Sequence, residues 1–148
     1  MFKKVDHIAI AVKNLKESRK GLEELFGAKF IVEALNEKGQ YRVAIFRVGE
    51  NIFTMLESTH PDGFIAKHIE RYGETTQHMG IEVEVIQKFM DHLNAHGIKT
   101  SNYTEVERVR KEVLVGPKNP LGVILQVFEW LGKYKNATPE ERMSKVWG

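Results

Sequence analysis

Two histidines, His7 and His78, occupy the second position of closely similar seven-residue segments, Asp6-His7-Ile8-Ala9-Ile10-Ala11-Val12 and Gln77-His78-Met79-Gly80-Ile81-Glu82-Val83. Neutral imidazole is the commonest metal ligand among side chains. Two of them in one repeated context, 71 positions apart, would be brought together by a pseudo-twofold axis as a candidate metal site. The chain has no cysteine, which excludes thiolate nucleophiles, disulfides and Cys-ligated zinc or iron-sulfur clusters and leaves histidine and oxygen donors. A rival pair, His92 and His96, is spaced four apart on a helical pattern, but Asp91, His92 and Asn94 read as a solvated helix surface. His60 and His68 have no partner pattern.

The histidines must be positioned by strands. In the first segment His7, Ala9 and Ala11 alternate onto one face. A helix follows, with Leu15, Leu22, Leu25 and Phe26 at helical spacing and Gly27 as its C-terminal stop. Strand patterns then run from Phe30 to Ala34, Tyr41 to Val48 and Asn51 to Glu57, giving the order β-α-β-β-β. The second segment starts the same order again. A strand at residues 77 to 83 leads to a helix from Ile86 to His96, stopped by Gly97, and then to strands at Ile98 to Thr100, Glu112 to Val115 and Val123 to Trp130. Gly97 answers Gly27 at an offset of 70, and Gln126 answers Thr54 at an offset of 72. Residues 58 to 75 join the two modules through a short helix with Phe64, Ile65, His68, Ile69 and Tyr72 on one side. The tail from 131 to 148 carries a capping box, Thr138 with Pro139 and Glu141, before Met143, Val146 and Trp147. This terminal helix needs a surface to dock on, either its own domain or a second subunit.

The length of 148 residues suits one domain with a sizeable core. With 22 basic and 20 acidic residues the net charge is +2, too balanced for a general nucleic-acid binder. Arg108, Arg110 and Lys111 are the nearest approach to a basic patch. No apolar run is long enough to span a bilayer and no leader pattern opens the chain, so a cytoplasmic protein with no membrane partner is expected, with a homodimer as its assembly.

Tandem β-α-β-β-β modules with a histidine on the first strand of each resemble the vicinal-oxygen-chelate superfamily of glyoxalases, bleomycin-resistance proteins and extradiol dioxygenases. The likeness is closest to methylmalonyl-CoA epimerase-like members. It covers roughly residues 4 to 130, through Val5 to Val12, Phe64-Ile65-Ala66-Lys67 to Arg71-Tyr72-Gly73-Glu74, Gln77-His78, Gly116-Pro117-Lys118 and Gly122-Val123-Ile124-Leu125. The resemblance implies an α+β fold in which modules at about 4–57 and 76–130 form a concave mixed sheet with a central cavity. It also implies a divalent metal ion (Zn, Co, Mn, Ni or Fe) held by His7, Thr54, His78 and Gln126. Only the histidines keep the family pattern, since Thr54 and Gln126 stand where the epimerases carry glutamate or glutamine and glutamate. Arg42 stands near the place of a carboxylate proposed as a base in some of them.

A neutral donor set leaves an electropositive site suited to a small anionic substrate. Arg42 is a candidate anchor for that anion, against the alternative of a solvated strand charge. Strand alternation puts Glu82 on the His78 face, as a candidate base or substitute ligand, against the alternative of a rim carboxylate paired with a lysine. Glu57 and Glu129 turn to the opposite face. The activity expected is that of an epimerase, isomerase or glyoxalase-like lyase, acting through an enolate on an oxo-acid or acyl thioester. The alternative is a metal-free binding or resistance protein on the same fold.

Overall fold

The structure is a computed structural model, and the residues it describes are 1–145. Val146 and Trp147, expected on the apolar face of the last helix, lie outside the described residues. The chain is a mixed α+β protein that forms β1 (Phe2–Ala11), α1 (Leu15–Phe26), β2 (Lys29–Asn36), β3 (Tyr41–Val48), β4 (Asn51–Ser58), α2 (Phe64–Tyr72), β5 (Thr76–Val83), α3 (Ile86–Ala95), β6 (Thr100–Val106), β7 (Arg110–Val115), β8 (Ile124–Trp130), a 3-10 turn (Gly132–Asn136) and α4 (Pro139–Met143). The β-α-β-β-β order expected from the repeat therefore occurs twice. Among the described residues no helix is long and apolar enough to cross a membrane.

The chain divides into two compact units, residues 7–77 and residues 1–6 together with the chain from His78 onward. In the first unit β1 lies parallel to β4, with Ala9 opposite Thr54, and β4 and β2 lie antiparallel to β3 on either side. Ala44, Phe46 and Met55 turn toward α1 and join Val12, Leu15 and Ala28 in its core. In the second unit β5 lies parallel to β8, with Gly80 opposite Gln126, and β7 pairs antiparallel with both β8 and β6. Ile81, Val83, Val113, Val115, Leu125 and Val127 turn toward α3 and pack on Ile86 and Phe89.

Each unit starts its helix with the same device. The Glu57 carboxylate accepts the Leu15 backbone N–H at 2.6 Å at the head of α1, and the Glu129 carboxylate accepts the Ile86 N–H at 2.8 Å at the head of α3. An acceptor carrying negative charge satisfies an orphan donor and complements the positive end of the helix dipole. Both carboxylates thus face the helices, as strand alternation requires. Gly27 then ends α1 with φ of 64°, and Gly97 follows α3 with φ of 76°, a region in which a Cβ would be strained.

Two expectations about elements shift. The strand expected at Ile98 to Thr100 is instead β6, which begins at Thr100 and runs out to Val106. Its residues are almost all exposed, so the apolar alternation that marks a half-buried strand is missing. Leu25 and Phe26, expected on the buried face of α1, are exposed. In the tail, Thr138 accepts the Glu141 N–H while the Glu141 side chain accepts the Thr138 N–H, which is the expected capping box. The tail docks within its own unit, where Arg142 and Met143 are buried.

Candidate functional site

Register assigns every candidate side chain to a face within its own unit. In the first unit, Ala9 opposite Thr54 and Thr54 opposite Ile45 place His7, Ala9, Thr54 and Ile45 on the face turned away from α1. His7 and Thr54 are buried there, beside the equally buried Val43, Ile45, Ile52 and Leu56. The face thus carries a histidine and a hydroxyl in an aliphatic wall.

Arg42 lies elsewhere. It pairs in register with Glu57, an odd number of steps from the Thr54 position, and so shares the α1 side with Glu57. Its guanidinium is 3.6 Å from the Glu33 carboxylate and nearly half exposed.

In the second unit, His78, Gly80 and Glu82 of β5 share a face with Ile124, Gln126 and Phe128 of β8 and with Glu112 and Leu114 of β7. His78 and Gln126 therefore fall on one face, as the repeat requires, and Gly80 adds no side chain beside Gln126. The Gln126 Nε2 donates to Glu112 Oε1 at 2.9 Å, and Glu112 Oε2 accepts from Arg110 Nε at 3.2 Å. The other end of the amide, Oε1, is buried and has no hydrogen-bond partner among the described residues.

Glu82 reaches the expected face but is engaged there. Its two oxygens accept from Arg142 Nη1 at 2.9 Å and Nη2 at 3.3 Å, with both side chains buried. Lys3 Nζ lies 3.4 Å and Lys4 Nζ 3.9 Å from the same carboxylate. Arg142 also donates to the carbonyls of Tyr134 and Lys135, and its guanidinium carbon lies 5.3 Å from the Trp130 ring centroid. Trp130 stacks on Phe128 at 5.4 Å and donates its indole N–H to Asp6 at 3.0 Å. Glu82 is thus the anchor by which the tail is fastened to the sheet.

Glu112 was not among the residues that spacing singled out. In sequence it closes the charged run Arg108 to Glu112, and only the pairing of β7 with β8 brings it to Gln126. Arg110, read as part of a basic patch, is buried against Glu112. The rival histidines His92 and His96 stay on the exposed flank of α3, rings 4.5 Å apart, with His96 Nδ1 bonded to the His92 carbonyl. His68 makes a 2.9 Å bond to Thr75, and partial burial lowers its pKa.

Among the described residues no group of three or more histidine and carboxylate side chains forms a ready-made metal site. An ion at this face would have to use the Gln126 oxygen as well as imidazole. The donor chemistry fits: an imidazole and an amide oxygen suit first-row dications, and a buried acceptor with no hydrogen-bond partner among the described residues is suited to a cation.

Comparison with known proteins places these observations in a family. The model of the glyoxalase/bleomycin resistance protein/dioxygenase superfamily matches residues 6–113. The uncharacterized protein YqjC of Bacillus subtilis is 22% identical over 135 residues, covering 90% of this chain and 96% of its own. Among solved structures, hypothetical protein BH1468 from Bacillus halodurans is similar with a TM-score of 0.76 and 24% identity, covering 90% of this chain and 98% of its own. Methylmalonyl-CoA epimerase from Mycobacterium tuberculosis is similar with a TM-score of 0.75 and 19% identity, covering 92% and 93%. These likenesses establish the fold, and the matched model the family. The chain belongs to the glyoxalase/bleomycin resistance protein/dioxygenase superfamily.

Proposed function

We propose that the protein is a metal-assisted enzyme that labilises the proton beside a carbonyl of a small anionic oxo-acid or acyl thioester, in the manner of an epimerase or isomerase. The observation that carries this reading is the Gln126 oxygen, buried without a hydrogen-bond partner among the described residues, on the face that holds His78. A buried acceptor left unsatisfied costs about 1–3 kcal/mol, and a bound cation relieves that cost. In this proposal His78 and Gln126 supply the donors, and His7 and Thr54 are their counterparts in the repeat. Zinc, cobalt, manganese, nickel and iron all suit such donors.

When bound, the ion supplies Lewis-acid polarisation of the substrate carbonyl and so lowers the cost of the enolate. The chain itself supplies orientation and dryness. Gln126 fixes an acceptor in place, while Val43, Ile45 and Leu56 keep water from the Thr54 face, which strengthens every electrostatic contact made there. Glu82 is held by Arg142 and Arg42 faces α1, so neither side chain takes the proton; in this proposal it passes to solvent water, which also returns it to the enolate carbon. A homodimer is part of the same reading and is tested by light scattering.

The test is isotope exchange. Protein reconstituted with cobalt(II) is incubated in deuterium oxide with methylmalonyl-CoA and, separately, with short 2-oxo acids, and loss of the α-proton signal is followed by NMR. Exchange that falls at least tenfold in His78→Ala is the expected result. Metal-loaded protein that exchanges none of these substrates above buffer overturns it. The Glu82–Arg142 pair favours a second reading, a metal-free small-molecule binding or resistance protein, because it ties up the carboxylate that strand alternation had offered as a base. Tight binding of an anionic ligand without metal and without exchange would establish that reading instead.

A further inference from the structure

We infer that Glu112 is a positioning residue that fixes which end of the Gln126 amide faces a ligand. The inference rests on the reading of Gln126 as a cation ligand and adds how the protein makes it one. A glutamine amide has a donor end and an acceptor end of nearly equal size, and either can be turned inward by rotation about χ3. A neutral side chain at a metal position is a ligand in only one of these two poses.

Glu112 removes the ambiguity. One of its oxygens, Oε2, accepts from the Arg110 guanidinium at 3.2 Å, and the other, Oε1, lies 2.9 Å from Gln126 Nε2. An ionised carboxylate accepts and does not donate, so the amide nitrogen must be the end that meets it. The carbonyl is then the end left buried without a hydrogen-bond partner among the described residues. Turning the amide over would set two oxygens against each other at the same contact. Donation to a carboxylate also draws electron density onto the amide oxygen, which makes it a better ligand, in the way outer partners raise the basicity of metal-bound imidazole.

The ligand class follows from the pose. A lone pair presented on this face takes a divalent cation or a hydrogen-bond donor, and repels the oxygen of an anionic substrate that approaches it directly. Loss of an outer partner of this kind weakens metal binding about tenfold to a hundredfold. Glu112→Gln keeps the shape but can offer either end of its own amide to Gln126, so the pose is no longer dictated.

The experiment is a cobalt(II) titration of purified, untagged protein followed by visible absorbance and by calorimetry, with the Gln126 side-chain amide observed by nitrogen-proton NMR before metal is added. Expected are cobalt affinity about tenfold to a hundredfold lower in Glu112→Gln than in the unsubstituted protein, recovery toward parental affinity in Glu112→Asp, and loss of a protected, downfield Gln126 amide proton in Glu112→Gln alone. Unchanged cobalt affinity in a folded Glu112→Gln protein overturns the inference and leaves the metal reading standing. No cobalt binding by the unsubstituted protein overturns both.

Discussion

At Gln126 one atom carries a claim that the rest of the side chain does not. Its nitrogen is satisfied by Glu112 and its oxygen has no partner among the described residues. Gln126→Glu would set a second carboxylate against Glu112, and without metal this variant is expected to lose about 1–3 kcal/mol of stability in urea denaturation. Cobalt(II) should restore more stability to it than to the parent, because a ligand that binds only the folded state stabilises in proportion to its affinity. At Glu82 the expectation is structural. Arg142→Met leaves a buried carboxylate beside the half-exposed Lys3 and Lys4, and should cost about 3 kcal/mol by the same measurement. Replacing both, Glu82→Leu with Arg142→Met, should recover most of that loss, since the penalty comes from the unpaired charge. The strand positions of the two histidines were legible from their repeated context, and that of Gln126 from its offset to Thr54. Glu112 was not, because its neighbour in space belongs to another strand, and a charged run in sequence carries no sign of which member turns inward. Arg142 was hidden for the same reason: nothing within the capping box announces a partner 60 residues away.

Among the elements, the repeat was readable wherever burial writes a period into the chain. β3 is found at the range expected, and α1 and α3 begin where expected, each in front of a glycine that turns left-handed. β6 was expected too early in the chain, at Ile98 to Thr100, because an exposed strand with an irregular register between Ser101 and Thr104 has no buried face to mark its bounds. The helix-starting carboxylates were legible only in part: alternation turned Glu57 and Glu129 away from the histidine face, but their bonds to Leu15 and Ile86 needed the structure. The side chain of Val85 at the head of α3 makes no capping bond, whereas Asn14 caps α1. Glu129→Ala should therefore destabilise more than Asn14→Ala, by about 1–2 kcal/mol in thermal or urea unfolding, since it leaves the Ile86 N–H without its acceptor. In α4 the Thr138 backbone N–H, and then its hydroxyl, hold the Glu141 carboxyl below its ordinary value of 4.5. A carboxylate with a depressed folded-state pKa contributes stability that is present above the ordinary value and lost as pH falls through the depressed one. Amide exchange across residues 139–143, corrected for intrinsic rate, should therefore accelerate on acidification below about pH 4.5. Thr138→Ala should exchange faster already at neutral pH and show a smaller further change.

For the molecule as a whole, two units built on one plan each carry a histidine on the strand face turned away from the helix, and each adds a polar partner from its last strand. The plan explains why the sequence reveals the fold more fully than the reaction: alternation and helical spacing are written by burial along the chain, whereas the proposed chemistry rests on four positions, two of which depart from the pattern of the family the chain resembles. The tail gives the second unit an added fastening through Glu82, Arg142 and Trp130. What makes the molecule an enzyme in the proposed sense is a metal ion, so its metal content is the direct test. Protein purified without an affinity tag and dialysed against cobalt(II) or zinc(II) should retain about one ion per chain by elemental analysis, since imidazole and oxygen donors suit both metals. The same analysis should find His7→Ala, His78→Ala and Gln126→Leu largely free of metal while still folded. Parent protein that holds no ion after reconstitution, or variants that hold it as fully as the parent, would contradict the assignment.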